Sequence, residues 1–302
     1  MTFKEWLVII TLGIGWGMSF VFNAILLREL GPVTVSLGRV TLGAIGCWVY
    51  VVLARKAVPL TPRLALEMLG FGAISFALPF AIYALGQQSI AAGVAGIINA
   101  MTPVMVVLIS HVWRGGERAT KAKSLGVAFG FFGIVILALP VLQRGESSAF
   151  LAILITIGAP ICYGISSNWA RRYKGINPAV LAAMGLTGAS ILIAPLAIWH
   201  DGWPVITRAE TWGALAMIGF VLTSASFIAF YWVLPRVGAT NTSTVTFIAP
   251  VSAVLMGVYL LGEQFRLEHA LGMGAIFCGL LMIDGRIMRL LRRDKGQQKQ
   301  GA

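Results

Sequence analysis

The second half of this chain repeats its first half. Trp16, Gly17 and Ser19 return as Tyr163, Gly164 and Ser166, and Pro103 returns as Pro250, all at a spacing of 147 residues. One residue then drops out, and the pairs Gly116-Glu117 and Gly262-Glu263, Leu125-Gly126 and Leu271-Gly272, and Gly133 and Gly279 follow at a spacing of 146. Matches that hold one register through a single deletion are the mark of a duplicated module. The fold must therefore place two related units in one molecule.

Those units are too apolar for water. Of 302 residues, 58% are hydrophobic and 11% charged, and the mean hydropathy is +0.86, well beyond what a soluble domain with a polar surface carries. Apolar stretches long enough to cross a bilayer, about 20 residues, fall at 4–27, 32–54, 64–87, 90–113, 122–142, 148–171, 178–200, 209–234, 239–261 and 267–290. The expected fold is an all-α integral membrane protein of ten transmembrane helices. The first stretch begins at Lys4 like a signal peptide, but it is too long and lacks a small-residue cleavage site, so it is expected to remain. Cys47, Cys162 and Cys278 fall in different spans at unrelated spacings, which suggests neither a disulfide framework nor a zinc site.

The net charge of +12 is sorted by side. With the N-terminus in the cytoplasm, 18 of the 23 lysines and arginines lie on that side, and Arg28, Arg144, Arg208 and Arg266 lie on the other. The positive-inside rule thus predicts both termini in the cytoplasm. The basic tail, residues 291–302, reads as an anchor on anionic lipid and not as a nucleic-acid arm.

Parity fixes how the two units are related. Each repeat, 1–145 and 146–290, holds five spans, so the chain enters the second from the opposite face and the two five-helix repeats are inverted. Inverted repeats supply two mirror-related states, one open to each side, around a site near the midplane. That is the architecture of a carrier; one chain holds both halves, so a monomer suffices.

Candidate site residues come from helical spacing. Trp16, Ser19, Phe20 and Asn23 share one face of the first span, and Tyr163, Ser166, Ser167 and Ala170 take the same phases in the sixth. Phe76, Phe80, Tyr83 and Gln87 in the third span match Thr223, Phe227, Phe230 and Leu234 in the eighth, with Tyr231 and Trp232 nearby. Ala92, Gly96, Asn99 and Pro103 in the fourth align with Ala239, Ser243, Thr246 and Pro250 in the ninth. Pro103 and Pro250 each remove a helical hydrogen bond inside a span, which neighbouring groups or a wet cavity must replace. Each hydroxyl or amide taken singly is explained by interhelical bonding, worth about 0.6 kcal/mol. Six spans that all direct such groups along one face point to a shared cavity.

Arg39 lies deep in the second span, where a charge costs about 2.5 to 3.5 kcal/mol on insertion scales. Snorkelling to headgroups or bonding to carbonyl groups accounts for it at least as well as substrate binding does. Asp284 reads as a boundary residue, and His111, His200 and His269 form no metal-like spacing. No Asp or Glu falls at mid-membrane, so a carboxylate proton relay has no candidate. No nucleophile with a base and no metal motif is present for an intramembrane hydrolase or transferase, and no cofactor is expected.

Together these residues resemble the drug/metabolite transporter superfamily, and within it the ten-span EamA-type permeases. The resemblance covers residues 4 to 290 and rests on Trp16-Gly17-Met18-Ser19-Phe20, Arg39, Ala91-Ala92-Gly93 through Pro103 to Gly116-Glu117, and the echoes at Gly238-Ala239, Pro250 and Gly262-Glu263. The chain is also similar to bacterial exporters of aromatic amino acids. The resemblance implies an inner-membrane carrier with a cavity lined by the first, third, fourth, sixth, eighth and ninth spans. The related four-helix multidrug pumps carry a glutamate in their first span, where this chain has Trp16, Ser19 and Asn23, which argues against proton-driven drug antiport.

The expectation is export of small metabolites, foremost aromatic and other neutral amino acids, by gradient-driven alternating access. Trp16, Phe20, Phe80, Tyr83, Tyr163, Phe227 and Tyr231 would enclose the side chain. Ser19, Asn23, Asn99, Ser167 and Thr246, with backbone exposed near Pro103 and Pro250, would bond the ammonium and carboxylate. Export of drugs or quaternary cations through cation-π attraction is the alternative, and an intramembrane enzyme is the remotest reading.

Overall fold

The computed structural model describes residues 1–284, with helix and no strand among them. Ten helices follow in order: α1 Phe3–Leu26, α2 Pro32–Leu53, α3 Pro62–Gly86, α4 Ala92–Val112, α5 Lys121–Gln143, α6 Ser147–Tyr173, α7 Pro178–Asp201, α8 Ala209–Gly238, α9 Val245–Leu261 and α10 Leu267–Asp284. Nine are long and apolar enough to cross a bilayer, and α9, with 17 residues, is shorter. It is short because the chain turns at Gly238, whose φ of 77° favours glycine, and breaks again at Ser243–Thr244 before α9 begins. Residues 285–290 of the expected tenth span and the basic tail lie outside the described residues.

The helix starts are chemically ordinary. At α1 the Thr2 hydroxyl accepts from the Glu5 amide while Glu5 accepts from the Thr2 amide, a reciprocal capping box. Thr61 before Pro62 and Asn177 before Pro178 cap α3 and α7. The start of α2 is capped from the other repeat, since Thr34 N donates to Asp201 Oδ2 at 2.6 Å.

Each helix of one repeat packs on its counterpart arrangement in the other. Helices α5 and α10 approach through glycines: Gly126 meets the backbone of Gly279, and Gly133 meets that of Gly272. On α1, Gly17 lies against the Ala249 carbonyl and Ser252 of α9, and α6 presents Gly164 to the backbone of Met105 in α4.

The internal symmetry extends to irregularities. Helix α3 widens to a π-helical segment at Ala73–Ala77, and α8 does so at Met217–Ala225, the stretch 147 residues further on. In α3, Pro79 has no amide hydrogen to offer the preceding turn. In α8 hydroxyls reach back five residues, from Thr223 to the Ile218 carbonyl at 2.7 Å and from Ser226 to the Val221 carbonyl at 3.1 Å. Such π-bulges collect at functional sites. The break in α4 has the same kind of origin: Pro103 cannot donate to the Asn99 carbonyl, which accepts instead from Thr102 Oγ1 at 2.8 Å.

The connectors 27–31, 87–91, 144–146, 202–208 and 262–266 share one face of the bundle, tied by Arg28 to Glu210 and by Arg144 to Glu268. The other face carries most of the described lysine and arginine residues and is the basic face of the bundle.

Candidate functional site

The aromatic residues that helical spacing selected meet between the repeats. Trp16 of α1 lies 5.5 Å from Phe230 and 6.4 Å from Phe227 of α8, centroid to centroid. Phe227 stacks on Tyr231 at 6.1 Å and meets Phe76 of α3 edge-on at 5.4 Å, and Phe76 continues to Phe80 at 6.3 Å. A second line runs from Phe20 through Tyr83 to Tyr163 of α6, at 5.1 Å and 6.5 Å. Tyr83 donates its phenol to Asn99 Oδ1 at 2.8 Å, joining α3 to the break in α4. Trp16, Tyr163, Phe227 and Tyr231 are half-buried, whereas Phe20, Phe80 and Tyr83 are buried.

Arg39 meets the first line at Phe80 and bonds Ser19, the neighbour of Phe20 on α1, without the snorkelling or carbonyl bonds expected of it. The residue is only 8% exposed, so it does not snorkel, and its guanidinium bonds hydroxyls in place of carbonyl groups. Nε donates to Thr223 Oγ1 at 3.1 Å and NH2 to Ser19 Oγ at 3.4 Å, while the carbon of the guanidinium stands 3.8 Å from the Phe80 ring centre. Four helices thus converge on it. Thr223 is tuned for the role because its own hydrogen is committed to the Ile218 carbonyl, which leaves its oxygen to accept.

On the face opposite the basic one, three layers close the bundle. Above the Phe20–Tyr83 pair, Asn23 Nδ2 donates to Gln87 Oε1 at 3.1 Å, and Gln87 Nε2 donates to the Phe20 carbonyl at 2.7 Å. Above that, both oxygens of Glu263 accept from the first amides of α4, Ala92 N at 2.5 Å and Gly93 N at 3.0 Å. A carboxylate on a helix N-terminus is a favourable, charge-assisted contact, and here it binds the end of α4 to the end of α9. Gly93 and Gly96 bring this half of α4 against Val254 and Ala253.

At the basic face the same two helices part. A cavity of about 480 Å³ lies between the second half of α4 and the start of α9, lined among others by Pro103, Ser110, Glu117, Ser243, Thr246 and Asp284. Glu117, the repeat partner of Glu263, caps nothing there: its side chain is 70% exposed and pairs with Lys123 at 2.9 Å. That ammonium holds the Glu117 carboxyl below the usual carboxylate range.

The structure therefore sets Ser19 and Phe80 on Arg39, links Trp16, Phe227 and Tyr231 to Phe80 through Phe76, joins Phe20, Tyr83, Tyr163 and Asn99 in the second line, and puts Asn23 in the closing layer. Pro103 and Thr246 line the basic-face cavity, whereas Pro250 is buried behind it. Ser167 is exposed and donates to its own helix at the Tyr163 carbonyl, 2.7 Å away. Helical spacing put Phe76 and Thr223 on the shared faces, but neither they nor Arg39 were among the residues assigned to hold substrate. The signal for Phe76 and Thr223 was their shared face with Phe80 and Phe227, and for Arg39 its depth in α2.

An EamA-like transporter family model matches residues 4–139 and again 150–284, one copy for each repeat. The chain is 23% identical over 288 residues to the uncharacterized transporter YoaV of Bacillus subtilis, covering 92% of this chain and 96% of the relative. It is 23% identical over 289 residues to a probable terminal-alkyne amino-acid exporter of Streptantibioticus cattleyicolor, covering 94% of each. A solved crystal structure superposes on 93% of this chain and 97% of its own length, with a TM-score of 0.65 at 17% identity, a likeness of fold alone. With two family matches that span both repeats and a ten-helix bundle between them, the chain belongs to the EamA-like transporter family of membrane transporters.

Proposed function

We propose that this transporter exports amino acids, aromatic and other neutral ones, across the bacterial inner membrane by alternating access. The observation that carries the reading is the unequal state of the α4–α9 pair, latched by Glu263 at one end and parted around a cavity at the other. If the basic face is cytoplasmic, as the positive-inside rule expects, the molecule is open inward, ready to load cargo from the cytoplasm. A related conformation with the two ends exchanged would release it outside.

The aromatic walls supply large faces for an apolar or aromatic side chain, with Asn99, Ser19 and the tyrosine hydroxyls for its polar end. The amino-acid exporter of Streptantibioticus cattleyicolor, similar over nearly the whole chain, supports the same substrate class. Quaternary cations fit less well, because Arg39 puts a positive charge against the Phe80 ring, among the aromatic side chains such a cation would need. Asp and Glu among the described residues lie in connectors or within two helical turns of helix ends, which favours movement down a gradient over a carboxylate proton relay.

Counterflow in proteoliposomes with a panel of labelled amino acids tests the proposal, since it registers binding and exchange without assuming a driving force. Exchange of aromatic and neutral amino acids, with altered preference in Trp16→Ala or Tyr163→Ala, is expected. Normal insertion with unchanged selectivity in both variants refutes the site, and accumulation driven by a pH gradient alone refutes the coupling.

A further inference from the structure

We propose that Arg39 is the anion-binding residue among the aromatic side chains between the repeats and that it holds the carboxylate of the transported molecule. This deepens the amino-acid reading above by assigning the group that recognises one end of the substrate.

The argument begins with how charges are paired elsewhere. Arg28, Arg63 and Arg144 lie at the surface, where water already solvates them, and each is paired with a glutamate. Arg39 is buried among four helices, where a counter-charge matters most, and no acidic side chain pairs with it among the described residues. Its partners are two hydroxyls and the face of Phe80, all neutral. A guanidinium carries five donors in a planar fork, and two of them are used. The remaining donors meet no acceptor among the described residues, which fits a fork kept for a carboxylate that arrives with the substrate.

The fork is also held still. Nε is fixed by Thr223, one amino group by Ser19, and the plane is supported by Phe80 at 3.8 Å. Tyr83 lies against Phe20, the neighbour of Ser19, with Tyr163 beyond it at 6.5 Å. Because Tyr83 spends its hydrogen on Asn99, its phenol oxygen is left as an acceptor for an ammonium group. An α-amino acid presents its two charges on adjacent atoms, and this wall presents donors and acceptors side by side. Ser19 and Phe80 come from the first repeat and Thr223 from the second, so the guanidinium that would take the ligand is itself held by both repeats.

The test uses the full chain and three probes of one shape: labelled phenylalanine, 3-phenylpropionate, which keeps only the carboxylate, and phenethylamine, which keeps only the amine. Counterflow competition in proteoliposomes and thermal shift in detergent are both measured. In the wild-type protein the acid is expected to compete with phenylalanine and to raise the melting temperature, and the amine to do neither. Arg39→Gln should weaken the acid about tenfold to a hundredfold, the worth of charge-assisted hydrogen bonds, and Arg39→Lys should fall between. An amine that competes as well as the acid in the wild type overturns the assignment. So does an Arg39→Gln protein that keeps its preference for the acid, as a purely structural tie between helices would allow. Should Arg39→Gln fail to fold, the wild-type comparison and Arg39→Lys decide. Stabilisation by the acid without any phenylalanine exchange upholds the anion site and removes the amino-acid reading; phenylalanine exchange inhibited equally by the amine does the reverse.

Discussion

Glu263 and Glu117 hold equivalent places in the two repeats, 146 residues apart, and do different things. Glu263 closes its end of the bundle by accepting from Ala92 N and Gly93 N, whereas Glu117 stands in solvent beside Lys123 at the edge of a cavity. The local sequence is the same Gly-Glu in both places, so it does not set the difference. What differs is the packing of the symmetry mates α4 and α9: at one end Gly93 and Gly96 lie against Val254 and Ala253, and at the other a cavity lies between the two helices. In the alternating-access reading proposed above, exchange of the two ends would make Glu117 the latch and release Glu263, so that the two glutamates alternate in one role.

The largest expected effect comes from Glu263→Gln. Each charge-assisted bond is worth about 1.5 to 3 kcal/mol, so its loss should move the balance between the two states by about tenfold or more. Spin labels at Ser89 and Gln264 should then report a longer, broader distance distribution; an unchanged distribution breaks the latch reading. Glu117→Gln should leave that distance as it is in the wild type and deplete the exchanged state, with slower counterflow as the readout. If Glu117→Gln shifts the labels in the same direction as Glu263→Gln, the two residues are not alternatives. Gln87→Leu, which removes the bonds to Asn23 and to the Phe20 carbonyl, should shift the same labels about fivefold in population, the scale of about 1 kcal/mol for a neutral bond.

The smallest effect is a pH dependence at the same closed end. Glu29 accepts from the Thr207 hydroxyl and amide, both at 2.6 Å, and from the Thr211 hydroxyl, joining the α1–α2 connector to the other repeat. Those bonds, the Thr207 hydroxyl first, pull its carboxyl down to about 2 from an ordinary 4.5. A depressed carboxylate stabilises the fold fully above about pH 4.5 and loses that contribution as pH falls toward 2. The melting temperature should therefore drop more steeply between those values in the wild type than in Glu29→Gln. Equal slopes would show that Glu29 is merely solvated.

The duplicated motifs and the apolar stretches made the fold legible before any coordinates, because a bilayer allows an apolar segment of that length little besides a helix. Much of the site was legible for a similar reason: Trp16, Ser19 and Phe20, or Phe80 and Tyr83, share helix faces by spacing alone. Arg39 was visible, but its surroundings were left open. Its depth in α2 could be read, but whether its guanidinium ran out to headgroups or in to Ser19 and Thr223 depends on where α1 and α8 stand. Ser167 was chosen by spacing beside Ser166, and the fold turns it back on its own helix.

By itself the sequence determined the number of helices, their inverted pairing and the faces that carry polar groups, because hydropathy and periodicity are local properties that each segment expresses on its own. Only the tertiary structure decided which end of the bundle is shut, which of two identical Gly-Glu pairs makes a cap, and what surrounds the buried arginine. These depend on angles between helices far apart in the chain, and two repeats with nearly the same sequence signal can differ there without any residue announcing it.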